Sequence, residues 1–186
     1  TLVDPENPTK KIINPEKKAH KLIKQYYSLY GYQAFANYVH KLIENELKYI
    51  DTSDIVRKNK LEQAIIRKHF SNRVLIIDEV HNIRNDESGE KLTRDTIIYI
   101  EKVIEYSDDL KLILLTANPM YNQANEIIWI LNMMLLNDNR SIIHEKEIFN
   151  ETNELTEGGK ELLIKSSRGY VSYVRGENPV TFPIRL

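Results

Sequence analysis

Two adjacent carboxylates, Asp78 and Glu79, are the side chains of this sequence best placed to do chemistry. They directly follow an apolar run, "VLII" at 74–77, which is typical of a strand covered on both faces in a parallel sheet between helices. Such sheets bind ligands outside the carboxyl ends of their strands. In phosphoryl-transfer enzymes an aspartate at a strand end holds Mg²⁺ through water, and a neighbouring glutamate deprotonates the attacking water. The pattern leaves two interpretations open, an ATP-hydrolysing site and a plain strand end.

A second polar strand end is predicted beside the acid pair. A strand at 73–77, a helix at 93–107 and a second apolar run at 111–119 together form one βαβ crossover. Crossovers of this kind are normally right-handed and place their two strands parallel. Thr116 and Asn118 are therefore expected at the same edge of the sheet as the two acids.

The remaining elements are mostly helical. Apolar residues recur at helical spacing in five segments, which are 14–27, 34–50, 54–70, 93–107 and 125–138. Asn14 is the expected N-cap of the first segment and Ser53 a candidate cap of the third. Beyond residue 140 we expect a loop and a short helix within 151–163, a short strand at 169–174 and an extended tail. The predicted fold is α/β, a partial RecA-like lobe whose parallel sheet is flanked by helices, plus a helical N-terminal region.

Composition narrows the classes of protein. The 186 residues are 41% hydrophobic and 28% charged, with a formal net charge of −1 and no cysteine. Disulfides and thiolate metal sites are excluded, and a reducing compartment is weakly favoured. No apolar run is long enough for a membrane span, and the first residues do not resemble a signal peptide. Any contact with nucleic acid has to come from a local basic patch or from another part of the protein.

Longer stretches resemble one family. "IIDEVHN" resembles the DExH box, or Walker B element, of superfamily-two helicases, and "LLTANPMYNQANEIIWILNMMLL" resembles their third motif. "YGYQAFANYV" looks like a Tyr-x-x-Phe-Ala-Asn element upstream of that box, and "SRGYVSYVRGENPVTFPIRL" looks like a segment between the two helicase lobes. The match is closest to the Swi/Snf-like helicases of large cytoplasmic DNA viruses, among them the poxvirus early transcription factor and termination ATPases. Two motifs in the right order are more specific than either alone.

The resemblance implies a role for each matching residue. Asp78 matches the acid that holds Mg²⁺ through water beside ATP, and Glu79 matches the catalytic base. His81 matches the residue that links the nucleotide site to the third motif. The stretch Thr116, Ala117 and Asn118 stands where the family couples nucleotide state to its grip on nucleic acid, although Asn118 replaces the usual Thr or Ser.

The resemblance also implies parts that this sequence lacks. No Gly-x-x-x-x-Gly-Lys-Ser/Thr phosphate loop occurs, and in "TEGGKEL" at 156–162 Glu161 stands where a hydroxyl is needed. The chain therefore looks like an internal piece of a longer helicase that is inactive by itself. Three regions are expected, a mainly helical part of the first lobe (1–70), a RecA-like core (71–140) and a connector toward the second lobe (141–186).

The function implied is nucleic-acid-dependent ATP hydrolysis that drives unwinding, translocation or remodelling. ATP and Mg²⁺ are the implied cofactors, DNA or RNA the implied partner, and the host cytoplasm or a virion the expected location. One alternative is a viral transcription-factor subunit whose lobe serves mainly as an assembly surface, with RNA polymerase or another subunit as partner. A further possibility is a helicase relative that only restricts or senses foreign DNA.

Other polar and aromatic residues have ordinary structural interpretations. Trp129, Met133 and Met134 are expected to pack within a helix. A lysine face on the first helix is more simply solvated than phosphate-binding, and either nucleic acid or the second lobe could contact Arg168 and Arg175. The histidines outside the box show no metal-ligand spacing; they are His20, His40, His69 and His144.

Overall fold

A parallel pair of strands with a helix between them organises the chain. The computed structural model describes residues 3–4, 7–11, 15–83, 91–120 and 126–173. The strands are β1 (Val3–Asp4), β2 (Asn7–Lys11), β3 (Val74–Ile77) and β4 (Lys111–Leu114). The helices are α1 (Pro15–Tyr26), α2 (Tyr32–Leu47), α3 (Ile55–Phe70), α4 (Lys91–Tyr106), α5 (Glu126–Asn137), α6 (Glu145–Ile148) and α7 (Glu157–Ser167).

The predicted βαβ unit is confirmed. β3 and β4 pair in parallel from Val74 opposite Lys111 to Ile77 opposite Leu114, and α4 connects them. The five predicted helical segments correspond to α1 to α5. Together with the parallel sheet they confirm the predicted α/β class, a partial RecA-like lobe with helices.

The core has three parts. One cluster joins the sheet to α4 and α5 through Ile77, Ile100 and Met133. A second joins α2, α3 and α4 through Val39, Ile66 and Val103, none of which is more than 1% exposed. A third lies under α5, α6 and α7 and includes the fully buried Ile148. The burial of these apolar side chains is the main contribution that stabilises the folded chain.

Only one face of the sheet is covered by the described residues. Leu75, Ile77 and Leu112 point toward the helices, whereas the alternate residues Val74 and Ile76 are 61% and 51% exposed. The expected burial of this apolar run on both faces is therefore not found. Side chains alternate along a strand, so each face needs its own cover.

Several local predictions need correction. Asp54, not Ser53, caps α3, because its carboxylate accepts the backbone N–H groups of Val56 at 2.8 Å and Arg57 at 3.3 Å. Residues 169–173 form a turn and irregular chain where a strand was expected. The antiparallel pair β1–β2 within the expected helical region was not predicted.

Some predictions lie outside the described residues. They concern the cap Asn14, Arg175 and the extended tail. Within the part that the structure describes, no helix is long and apolar enough to cross a membrane.

Candidate nucleotide-hydrolysis edge

The two strand ends lie side by side. The N–H of Leu115 donates to the carbonyl of Ile77 at 2.9 Å, and the N–H of Val80 donates to the carbonyl of Leu115 at 3.0 Å. The chain therefore leaves β3 at Asp78 and leaves β4 at Thr116 along the same edge. The sequence had predicted this juxtaposition, and the parallel register produces it.

A tight turn presents the acid pair. Glu79 has φ 49° and ψ 47°, in the left-handed region, and a 3₁₀ turn at Val80–Asn82 follows. A non-glycine residue in this conformation costs free energy, roughly 1–3 kcal/mol, and persists where its surroundings hold it. Val80 is fully buried and anchors the turn from below, while Asp78 and Glu79 are both exposed. Burial of Val80 thus leaves both carboxylates at the open edge.

The Asp78 carboxylate is oriented by its own backbone. Its Oδ1 accepts the N–H of Glu79 at 3.0 Å. A carboxylate with one committed oxygen is a hard oxygen donor, the type of ligand that Mg²⁺ prefers.

Tyr32 braces the same turn from outside the sheet. Its hydroxyl donates to the carbonyl of Asp78 and lies 3.3 Å from the carbonyl oxygen of Glu79. Burial raises the pKa of Tyr32, and the charges of Asp78 and Glu79 also raise it, while a hydrogen bond with Asn82 lowers it. No role is predicted for this tyrosine of "YGYQAFANYV" from the sequence, because no local pattern indicates a contact 46 residues away.

His81 connects the two strand ends. Its Nδ1 lies 2.8 Å from the hydroxyl oxygen of Thr116 and 3.3 Å from Oε2 of Glu79. The His81 side chain is 14% exposed and that of Glu79 is 50% exposed. The histidine therefore lies between a partly buried hydroxyl and an open carboxylate.

Thr116 is a second connecting point. Its hydroxyl oxygen accepts the backbone N–H of Asn118 at 3.1 Å in addition to its contact with His81. Ala117 and Asn118 are both exposed. The three predicted coupling residues are thus brought to the edge, and among them Thr116 makes the contact with the acid-pair side.

Two neighbouring acids, Asp78 and Glu79, lie exposed at this edge. Among the described residues, no group of three or more His, Asp or Glu side chains is placed to hold a metal ion. Asp78 would therefore hold Mg²⁺ through water, with the remaining ligands coming from phosphate oxygens and solvent. This donor set fits a weakly held Mg²⁺ that arrives with a nucleotide.

An open cavity adjoins the edge on the side of His81. It has a volume of about 520 Å³, and Trp129, Asn132 and His144 are among its lining residues, whereas Asp78 and Glu79 are not. The indole N–H of Trp129 donates to Oε1 of Glu101 at 2.9 Å, and burial raises the pKa of Glu101. Trp129 and the fully buried Met133 are packing residues, as the sequence predicted.

The other singled-out residues lie in ordinary surroundings. His40 contacts Tyr99 and Glu44, and His69 contacts Glu46 at 2.7 Å. The lysines of α1 lie on an exposed helix, and the structure leaves both interpretations of that face open.

An acid pair and a hydroxyl at the carboxyl edge of a parallel βαβ unit define an α/β lobe of the RecA-like type. The chain is similar to helicases of large DNA viruses. A "Putative ATP-dependent RNA helicase" of Acanthamoeba polyphaga mimivirus is 30% identical over 184 residues, which cover 91% of this chain and 15% of that protein. A second mimivirus protein, also named a "Putative ATP-dependent RNA helicase", is 26% identical over 197 residues, covering 98% of this chain and 29% of the relative.

A relative outside mimivirus agrees. A "Putative helicase" of frog virus 3 is 26% identical over 163 residues, covering 88% of this chain and 15% of its own length. The chain thus spans less than a third of the length of these curated relatives. It matches no protein-family model and no solved structure. The predicted relationship to viral helicases is confirmed, and the finer assignment to a DExH, Swi/Snf-like subtype stays a prediction.

Proposed function

We propose that this chain supplies the acid-pair half of an ATP-hydrolysing site in a nucleic-acid-dependent DExH-type helicase. The observation that carries the proposal is the contact of His81 with both Glu79 and Thr116. It joins a candidate base to the next strand end through one imidazole. A plain strand end does not need this arrangement.

In the proposed reaction Glu79 accepts a proton from the water that attacks the terminal phosphate of ATP. General-base catalysis of this type contributes about a hundredfold to ten-thousandfold to the rate. Asp78 holds Mg²⁺ through water, and the ion when bound neutralises charge on the phosphates. The phosphate loop has to come from residues outside this sequence, since it contains no Gly-x-x-x-x-Gly-Lys-Ser/Thr. The arginine at the developing charge is expected from the second lobe.

The proposed partner is a nucleic acid. The two mimivirus relatives are named as ATP-dependent RNA helicases, so RNA is the first substrate to test, with DNA tested in parallel. A protein of a large DNA virus would act in the host cytoplasm or in the virion. The three proposed regions, 1–70, 71–140 and 141–186, would then belong to one lobe and its connector.

Glu79→Gln tests the proposal in the protein that carries both this chain and a phosphate loop. The amide keeps the size of the side chain but cannot accept the proton, so ATP binding should persist and turnover should fall about a hundredfold or more. Glu151→Gln is the matched control, because Glu151 lies exposed in a turn remote in sequence from the acid pair. Turnover within a few-fold of the parent in Glu79→Gln would contradict the proposal.

The same experiment distinguishes the proposed ATP hydrolysis from the alternative function as an assembly surface. A transcription-factor subunit that acts as an assembly surface would retain its partner subunit without turnover, with or without nucleic acid. Turnover that nucleic acid stimulates and that Glu79→Gln abolishes would contradict that alternative.

A further inference from the structure

Tyr32 holds a peptide unit that controls the direction of both carboxylates. The carbonyl oxygen of Asp78 and the N–H of Glu79 belong to the same planar peptide. The hydroxyl of Tyr32 donates to that carbonyl, while Oδ1 of Asp78 accepts that N–H at 3.0 Å. Both polar ends of one peptide are therefore held.

Fixing this peptide fixes the two acids. Its rotation sets ψ of Asp78 and φ of Glu79, and φ of Glu79 is +49°. The other described backbone contacts of the turn begin one residue later, with the N–H of Val80 on the carbonyl of Leu115. Without the Tyr32 contact, the Asp78 side chain would be the one remaining partner, among the described residues, of the peptide that precedes the left-handed residue.

Tyr32 itself is firmly placed. It is the first residue of α2, and the next residue, Gln33, accepts a hydrogen bond from the hydroxyl of Thr96 on α4 at 2.6 Å. Phe35 packs against both large core clusters. The start of α2 is thus hydrogen-bonded to α4 and packed against the core, and these contacts fix the position of the Tyr32 side chain.

The phenol is also a dependable donor. Burial raises the pKa of Tyr32, and the neighbouring carboxylates act in the same direction. The hydroxyl therefore keeps its proton throughout the physiological range and donates it to the carbonyl of Asp78, with the carbonyl oxygen of Glu79 next nearest at 3.3 Å.

We propose that Tyr32 is a positioning residue for the acid pair, which it holds in the left-handed turn by hydrogen bonding to the backbone of Asp78 and Glu79. This inference rests on the proposed function, because the reaction gives the orientation of Glu79 its importance. Tyr32 does not touch the nucleotide in this scheme and acts through the main chain.

Tyr32→Phe tests the inference, with Tyr99→Phe as the matched control. Both changes remove one phenol hydroxyl and keep the ring. The Tyr32 hydroxyl connects α2 to the turn after β3, and the Tyr99 hydroxyl connects α4 to His40 on α2. Tyr99 lies 3.1 Å from Nδ1 of His40, away from the acid pair. A purely structural loss should therefore appear equally in both variants.

Two measurements are made on the protein that carries the phosphate loop. The first is steady-state ATP turnover, in which Tyr32→Phe should lower kcat about tenfold to a hundredfold, as small misplacements of reacting groups do, with KM for ATP within about threefold. The second is amide hydrogen exchange of the turn, where the N–H groups of Val80, Asn82 and Ile83 are bonded. Exchange there should be about five- to tenfold faster in Tyr32→Phe, the factor for one lost hydrogen bond of ordinary strength.

The outcomes separate this inference from the proposed function. Slower turnover and faster exchange in Tyr32→Phe, with Tyr99→Phe like the parent, support it. Equal behaviour of the two variants overturns it, and so does faster exchange with a parent-like kcat. A parent that shows no ATP turnover under any condition contradicts the proposed function, and the exchange comparison then decides the Tyr32 contact by itself.

Discussion

Nδ1 of His81 lies 2.8 Å from the hydroxyl oxygen of Thr116, which is 35 residues further along the chain. Oε2 of Glu79 lies 3.3 Å from the same nitrogen. A ring nitrogen carries at most one hydrogen, so Nδ1 donates to only one of these partners at a time. When the Thr116 hydroxyl donates to Nδ1, the nitrogen has no hydrogen for Glu79. The direction in which the Thr116 hydroxyl donates therefore decides whether Nδ1 of His81 can donate to Glu79, the candidate base.

Thr116→Ala should uncouple nucleic-acid binding from ATP turnover. The change removes the hydroxyl that links the β4 end to His81, so movement at Thr116 would no longer alter the surroundings of Glu79. We expect the ratio of stimulated to basal turnover to fall about tenfold, within the usual range of coupling free energies. The measurement is ATP turnover with and without single-stranded RNA or DNA.

Thr152→Ala is the control for this change. It removes an exposed hydroxyl that bonds only locally, to Asn150 and Glu154. An unchanged stimulation ratio in Thr116→Ala would remove Thr116 from the coupling role and leave His81 as a structural contact.

Asp54→Ala should destabilise the chain by about 1 kcal/mol, the usual free energy of an N-cap. The Asp54 carboxylate accepts two N–H groups in the first turn of α3, and alanine leaves both without that partner. Ser53→Ala is the matched control one residue earlier, for which we expect a change within about 0.5 kcal/mol. Urea unfolding compares the two variants, and equal losses would contradict the assignment of the cap.

The sequence was informative where a rule of chain geometry applies. Two apolar runs around an amphipathic helix predict a parallel pair, and the parallel pair places Asp78 and Thr116 at one edge. The helices were predicted because apolar residues recur at helical spacing, and α2 buries such a stripe with Ala36, Val39 and Ile43, whereas Leu22 and Ile23 of α1 stay exposed. Both predictions follow from periodicity and connection length.

The sequence could not show contacts between distant segments, nor which of two adjacent residues caps a helix. The Tyr32 hydroxyl meets Asp78 because the start of α2 packs against the core cluster under the sheet, and no periodicity encodes this. Ser53 and Asp54 are both good caps, and the backbone at Asp54, with φ −82° and ψ 113°, decides between them. An apolar strand likewise shows that it suits burial and does not show that both faces are covered.

Glu101→Gln should stabilise the chain at neutral pH. Burial raises the pKa of Glu101, so the folded chain holds this proton more tightly than the unfolded chain does. The stabilisation that the folded chain gains by binding this proton more tightly is fully present below the ordinary pKa of 4.5. It is lost as pH rises through the raised pKa of Glu101. Glutamine does not ionise, and its amide oxygen still accepts the indole N–H of Trp129.

The measurement is the thermal midpoint as a function of pH. The midpoint of Glu101→Gln should exceed that of the parent by a few degrees at neutral pH, and the two should converge in acid below the ordinary pKa. Glu161→Gln, which changes an exposed glutamate on α7, should follow the parent at every pH. A constant difference across the pH range would contradict ionisation as the cause.

Residues 1–186 by themselves should not bind Mg-ATP at micromolar concentrations. The segment that most resembles a phosphate cradle is Gly158 to Lys160, and the backbone N–H groups of Gly159 and Lys160 are already hydrogen-bonded. The N–H of Gly159 donates to the hydroxyl of Thr156 at 2.9 Å, and that of Lys160 donates to the Thr156 carbonyl at 2.8 Å. A Cβ at Gly159 would lie 2.2 Å from the carbonyl oxygen of Ile148, so this glycine serves the close packing of α7 on α6.

The acid pair alone cannot replace that cradle. Phosphate binding depends on backbone N–H groups and a lysine around the phosphates, and a water-mediated contact from Asp78 adds little without them. Calorimetry of the chain with Mg-ATP should therefore show no binding, and Asp78→Asn should behave in the same way. Micromolar binding that persists in Asp78→Asn and is lost in Lys160→Ala would place a phosphate site at the start of α7. That result would contradict the assignment of Gly159 to packing alone and would require its N–H to leave Thr156 when a nucleotide binds.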